Sequence, residues 1–438
     1  MLLSDEVNPF YGDEDRERRF GESSRSPLDV RDAFERDYGR IIHSAAFRRL
    51  QSKKQVIGIE VGDVHRTRLT HSMEVAQIAR GIALFLNRRS EILPPGCKID
   101  ISLVEAAALA HDLGHPPFGH EGERSLNRMM ALDGGFEGNA QTFRILTRLE
   151  GRKGEGLDLT RGLLLAVMKY PVLYEETFAH AAAPDSPERP PKASVYSSDR
   201  LAFDWVLAPY GEGEKEFLLK TLRESEDSPY RRTLHHSFEC SIIELADDIA
   251  YATHDLEDAV NLHLVELEEL KEILLARPWG GKYEELDRAS REAAGIHPRQ
   301  DLFKHHLKQV FAFLISAFVN HIQIDIQGEE SFSNRFRFRA VLPPELAELN
   351  LRLKSVVEER VIHSQPVQAM AWKGDRVVRM LFEAMMEESK LLPENDRRQI
   401  RENPQDRARI VCDYIAGMTD PYALRMHERL FGTGRSSL

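Results

Sequence analysis

The chain has 438 residues, of which 42% are hydrophobic and 30% charged, with a formal net charge of −12. That length can bury a large core, but the acidic balance excludes a general polyanion binder, so a phosphorylated substrate must be met by a local cluster of cations. The three separated cysteines, Cys97, Cys240 and Cys412, exclude a disulfide framework and a CxxC zinc site, and neither a signal peptide nor a membrane span is legible, so a soluble, cytoplasmic protein is expected.

Residues 1–30 are polar and read as an extended arm. From Asp32, Phe34, Tyr38, Ile41 or Ile42, and Ala45 fall at spacings of three and four, the stripe of an amphipathic helix. The segment 55–61, QVIGIEV, reads as an extended turn. Helices are predicted at 70–88 and 101–113, the second almost wholly apolar and ended by Gly114 and Pro116-Pro117. Further helices follow at 121–132, 138–150 and 158–170. The Pro-rich stretch 181–199 is a surface loop, 237–272 is strongly helical, and 276–300 is an irregular connection. HIQIDIQ (321–327) and SFSNRFRFRAVL (331–342) alternate with period two about a Gly-Glu-Glu turn and predict a β-hairpin. From Glu345 onward the pattern is helical. The expected fold is all-α with one small hairpin lobe near 321–342. It divides into the arm, a catalytic core over 31–275, and a C-terminal helical region over 276–438 that packs on the core.

Chemistry concentrates in a few positions. His111-Asp112 closes the apolar helix, where a carboxylate beside an imidazole is costly to bury unless something compensates it. A capped helix end is the plainer explanation of that pair. His71 shares a face with Val75 and Ile78 and so points inward, though a core histidine needs no metal. Asp247 and Asp248 interrupt the stripe of Ile243, Ala246 and Ala250, and a solvated face accounts for one of them but hardly both. Two imidazoles and two carboxylates form a mixed N/O set. Such a set suits one divalent ion, Mn²⁺ or Mg²⁺ foremost and Fe²⁺, Co²⁺ or Ni²⁺ besides, better than structural zinc.

The order His…His-Asp…Asp is the signature of the HD superfamily, and the resemblance extends to its bacterial deoxyguanosine triphosphate triphosphohydrolases. The blocks that carry it are RDYGRIIHSAAFRRLQSKKQV (36–56), RLTHSMEVAQIAR (68–80), HDLGHPPFGHEGE (111–123), FEGNAQTFRIL (136–146), MKYP (168–171), LADDIAYATHDLEDAV (245–260) and DYIAGMTDPYALRMHERLFG (413–432). The resemblance implies a helical, metal-dependent enzyme that cleaves a dNTP, dGTP in particular, to a deoxynucleoside and inorganic triphosphate. It implies His71, His111, Asp112 and Asp247 as metal ligands. His120, on the loop after the Pro-Pro turn, with Glu123 three residues on to orient its ring, is the candidate acid/base pair. A capping role for Glu121 or Glu123 is the plainer alternative.

Arg68, one turn from His71, is a candidate phosphate cation. His115, Asn139, Lys169 and Tyr170 match family positions of phosphate or active-site contacts, and Gln55 matches the glutamine at the sugar. Lys192 is a weaker candidate, because PPKASVYSSD departs from the family pattern. Asp247, Tyr251 and Asp255 stand at i, i+4 and i+8, which assigns Tyr251 and Asp255 to the sugar and, with the family motif, favours Asp247 over Asp248. The resemblance also implies a homo-oligomer, a hexamer among the choices, and a regulatory nucleotide. Two other functions fit the same residues: an HD phosphohydrolase acting on monophosphates or signalling nucleotides, and a nucleotide-sensing or single-stranded nucleic-acid-binding protein, for which Arg48-Arg49 and Lys53-Lys54 are the support.

Overall fold

The structure, a computed structural model, describes residues 8–21, 28–55, 66–152, 154–179, 190–226, 228–297 and 302–432. Residues 56–61 of the expected extended turn, 181–189 of the Pro-rich loop, and parts of the N-terminal arm lie outside them. The principal helices are α1 (Ala33–Ile42), α2 (Arg68–Arg89), α3 (Ile101–Ala110), α4 (Gly119–Met129), α5 (Gly138–Arg144), α6 (Phe238–Ala250), α7 (Glu284–Gly295), α8 (Phe303–Val319), α9 (Pro344–Val357), α10 (Gln365–Glu387), α11 (Arg407–Ala416) and α12 (Asp420–Phe431). No helix among the described residues is long and apolar enough to cross a membrane.

α3 is the centre because its sequence leaves it almost no polar face: Leu103, Val104 and Ala106 through Ala110 are all buried, and only Ser102 and Glu105 are polar. So apolar a helix must be covered on nearly every side, and α1, α2, α6 and the Arg161–Val167 helix pack around it. The large core they form continues through α7, α8 and α9. A second apolar cluster joins α4 to α10, α11 and α12 through Leu126, Val378, Leu381, Val411 and Ile415.

The hairpin is present, with Gln323–Ile326 paired antiparallel to Phe338–Val341. Its second arm is shorter than the sequence pattern suggested, because Asn334–Arg337 forms a helical turn capped by Ser333. A second two-stranded ladder, Thr221–Arg223 with Thr233–Arg231, carries no alternating apolar pattern and was not foreseen. The irregular connection expected over 276–300 contains α7, whose Leu286, Ala289 and Ala293 are spaced to pack on α8. The acidic first turn of α7 masks that stripe in the sequence.

Residues 8–21 do not extend into solvent. Phe10 and Tyr11 are buried, and Asp15 pairs with Arg335, the largest fully buried side chain. Arg335 also reaches Glu239 of α6 at 3.2 Å and the Gly162 carbonyl at 2.7 Å, which ties four distant segments together. Removing one partner of a buried charge network costs far more than the network contributes, because the others stay buried and uncompensated. Arg335→Met is therefore expected to lower unfolding free energy by about 3–5 kcal/mol, measured by urea denaturation; a loss under about 1 kcal/mol contradicts this account.

Lys53 is a second such tie. It is buried, and its Nζ donates to the carbonyls of His115 and, at 2.9 Å, Ala416. Burial, then the charge of Arg49, lowers its pKa from 10.5 to about 7. Between those two values the unfolded chain binds more protons than the folded one, so folding gains stability as pH rises through the window. Relative to Lys53→Met, the wild-type protein is expected to become steadily more stable from about pH 7 to about pH 10; a flat difference in urea midpoints would contradict the burial argument.

Candidate active site

Three helix termini converge to build the site. Thr67 caps α2 by a reciprocal box with Thr70, so the helix begins at Arg68 and places Arg68 and His71 on one turn. α3 stops at Ala110, and the turn that follows carries His111 and Asp112. The turn is tight because Gly114 passes α5 so closely that a Cβ there would sit 2.0 Å from the Gly138 carbonyl oxygen. α6 contributes Asp247 from its last turn, while Asp248 points the other way, to Lys354 of α9.

The donor atoms of His71, His111 and Asp247 lie within 4.8 Å of one another. His111 Nδ1 is 2.6 Å from the Ala108 carbonyl, which can only accept, so Nδ1 carries the proton. The lone pair of Nε2 then faces Asp112 Oδ1 at 3.4 Å and Asp247 Oδ1 at 3.8 Å, and this buried nitrogen has no hydrogen-bond partner. An acceptor confronting two carboxylate oxygens is relieved by a cation among them, and two imidazoles with two carboxylates are the donors a hexacoordinate divalent ion takes. The residues therefore fit a metal ion. His71 Nε2 lies 3.0 Å from Asp247 Oδ1. Burial pushes Asp247 up, but the groups around it, the His71 hydrogen bond foremost, outweigh it and hold the carboxyl below its ordinary range. Asp112 Oδ2 is held by Arg68 at 2.7 Å, and its Oδ1 lies 3.0 Å from His115 Nδ1. His115 is lowered to about 4 by burial and then by Arg68, so it is uncharged at neutral pH.

A second group stands beside the first. His120 Nδ1 is 3.2 Å from Glu123 Oε2, and Glu123 is buried, its Oε1 accepting the Gly138 N–H at 2.9 Å. Burial raises Glu123, but Lys192 at 3.7 Å and His120 bring it well below the usual carboxylate range. An ionised Glu123 fixes the His120 proton on Nδ1 and leaves Nε2 as an exposed acceptor on a ring whose side chain is 67% accessible. Lys192 also reaches Glu137 at 3.3 Å, and Lys169 is held by Glu244 at 2.9 Å.

Residues 68–252 match the HD domain family, and residues 340–429 match the phosphohydrolase-associated domain. The chain is 40% identical to a deoxyguanosinetriphosphate triphosphohydrolase-like protein of Shewanella loihica over 96% of its own length and 98% of the relative's. Proteins of the same description from Shewanella pealeana and Shewanella halifaxensis are 40% and 39% identical, each over 96% of this chain and 97% of their own. The chain belongs to this triphosphohydrolase-like family of HD-domain proteins. It is accordingly a phosphohydrolase.

In this HD-domain protein the two groups open into one cavity of about 630 Å³. Gln55, Arg68, His71, His111, Asp112, His115, His120, Glu123, Asn139, Lys169, Tyr170, Asp247 and Tyr251 all line it, as does Lys192. Arg68 is engaged by Asp112 as well as facing the cavity. The Gln55 side-chain oxygen is buried without a partner, an acceptor awaiting a donor. Asp255 is the residue the geometry sets apart: it is buried and does not line the cavity. The reason is a π-helical turn at Tyr251–Asp255 between α6 and the next helix, which rotates everything beyond it away from the face that i, i+4, i+8 spacing describes.

Sequence reading did not find the opposite wall. Ile362 and His363, just before α10, and Val367, Gln368, Met370 and Ala371, in its first turns, line it. They form no motif, and their exposure on an amphipathic helix resembles a solvated face. Glu244 had a signal, one helical turn before Asp247. His111→Ala and Asp247→Ala are each expected to lose at least about tenfold in affinity for Mn²⁺ with an unchanged far-ultraviolet circular dichroism spectrum; retention of wild-type affinity by both would remove the cation site from this corner of the cavity.

Proposed function

We propose that the protein hydrolyses a deoxynucleoside triphosphate, dGTP foremost, to the deoxynucleoside and inorganic triphosphate by attack of water on the α-phosphorus. The observation that carries this reading is the continuity of one cavity. It holds the His71–His111–Asp112–Asp247 corner, the His120–Glu123 pair, two lysines and apolar residues, the kinds of group that an α-phosphate, a leaving oxygen, a phosphate chain and a nucleoside each call for.

The cation held by His71, His111, Asp112 and Asp247, manganese or magnesium by its donor set, supplies Lewis acidity at a phosphoryl oxygen and makes bound water more acidic. The remaining work falls to the chain. The water oxygen bonds to the α-phosphorus while the bond from that phosphorus to O5′ breaks, so one proton must leave the water and one must reach O5′. His120 Nε2 is the mobile acceptor for the first and, once protonated, the donor for the second. Glu123 keeps Nδ1 protonated and stabilises the imidazolium between those events.

Lys169 and Lys192 offer the charge that a triphosphate needs in an acidic protein. Their carboxylate partners Glu244, Glu123 and Glu137 hold their heads at the cavity until it arrives. Tyr251 presents a flat ring to the deoxyribose, and Gln55 an unpaired acceptor to a sugar hydroxyl. The apolar start of α10 suits the base.

Ion chromatography of the products decides the reaction. With each of the four dNTPs and GTP, in Mn²⁺ and in Mg²⁺, tripolyphosphate is the expected inorganic product; pyrophosphate or orthophosphate in its place would make the protein a different HD phosphohydrolase. His120→Ala is expected to lower kcat by about 10²–10⁴-fold with metal affinity retained, and near-normal turnover would remove His120 from proton transfer.

A further inference from the structure

The loop that presents His120 is not held by the HD region alone. Residues 115–118 run into α4 through Phe118, a non-glycine residue at φ +65°, ψ +18°. A phenylalanine in the left-handed region is strained, and the conformation persists only where the surroundings impose it. Those surroundings come from the C-terminal segment. Asp420, at the first position of α12 and 4% exposed, directs Oδ1 at the Phe118 N–H at 3.0 Å and Oδ2 at the Lys54 N–H at 3.1 Å. One carboxylate thus fixes a backbone point two residues from His120 and another next to Gln55. Lys53, beside it in sequence, bonds the carbonyls of His115 and Ala416 and so ties the same loop to the end of α11. From the other side α10 comes so close that a Cβ on Gly374 would lie 2.7 Å from Cβ and Cγ of Phe118.

We propose that Asp420 and Gly374 are positioning residues for His120, and that the 340–429 region acts on the reaction by clamping Phe118 between them. The proposal rests on the role given to His120 above. Asp420 borders the cavity, but each of its oxygens is engaged by a backbone N–H, so in this scheme it positions and does not react. The two N–H groups also need a carboxylate. An asparagine offers one acceptor and would turn an N–H donor toward the other amide, so it preserves at most one of the two bonds.

The test combines amide exchange with kinetics on the full-length metal-loaded protein. In Asp420→Ala, deuterium uptake over 115–120 and 53–55 is expected to rise at least tenfold in rate. Its kcat is expected to fall about a hundredfold, the scale of a misplaced catalytic group, and by more than KM rises. Asp420→Asn should fall between the alanine variant and the wild type. Gly374→Ala sets a methyl against Phe118, and the better helix former offsets part of that overlap, so its thermal midpoint should drop less than that of Asp420→Ala while its kcat falls at least tenfold because Phe118 is displaced; this variant carries the test if Asp420→Ala does not fold. In a His120→Ala background Asp420→Ala should cost less than about threefold, because there is no longer a base to position.

Unchanged exchange in Asp420→Ala, full activity in both single variants, or an undiminished loss in the His120→Ala background would each overturn the proposal. Exchange is read without substrate. A wild-type protein that releases no triphosphate would therefore refute the proposed reaction and leave the clamp to be judged by exchange alone.

Discussion

The hydrogen bond from His111 Nδ1 to the Ala108 carbonyl is a small interaction on which much of the molecule turns. It exists because α3 ends at Ala110, so that carbonyl keeps only a long 3.5 Å bond from the His111 N–H and has room for a second donor, and it fixes the tautomer of the ring. Once Nδ1 holds the proton, Nε2 is an acceptor, and the chain has placed two carboxylates in front of it. In an apolar protein interior that arrangement is unfavourable by itself, which is why it reads as half of a coordination sphere. The burial of α3 on nearly every side supplies the rigidity that keeps the three donors from relaxing apart.

Around this corner the charges are arranged in pairs that neutralise one another at rest. Arg68 is held by Asp112, Lys169 by Glu244, and Lys192 by both Glu123 and Glu137, so each cation at the cavity has a carboxylate partner before a ligand enters. A chain of net charge −12 thereby keeps cations in the cavity, where the proposed substrate would need them.

Much of this was legible in the sequence, for identifiable reasons. The buried helix at 101–110 is apolar in every position but one or two, so its depth and its polar terminus are both visible without coordinates. His120, expected on the loop, belongs with Glu123 to the first turns of α4, and at three residues' spacing on one helix a local rule places them together. What sequence could not supply was long-range. Phe118 and Asp420 are separated by 302 residues, and no periodicity signals that one carboxylate will serve two distant amides. The wall at the start of α10 was hidden for another reason: its apolar Val367, Met370 and Ala371 are interspersed with glutamines, so the segment looks solvated, and packing of α10 against α4 sets it at the cavity. The hairpin at 323–341 was visible from its alternation, whereas α7 hid behind its charges.

The π-helical turn at Tyr251–Asp255 carries a different kind of information. A π-turn is an α-turn with one residue too many, so what it changes is chain length, and no substitution reverses it. Asp247 and Tyr251 lie before the extra residue takes effect and keep their places at the cavity; Asp255 lies after it and is turned into the protein. The reach of this helix along a bound nucleotide is therefore adjustable by insertion or deletion of a single residue, with the metal corner undisturbed. Comparing such helices position by position, without a gap inside the turn, would equate an aspartate at the ligand with one that supports the wall behind it.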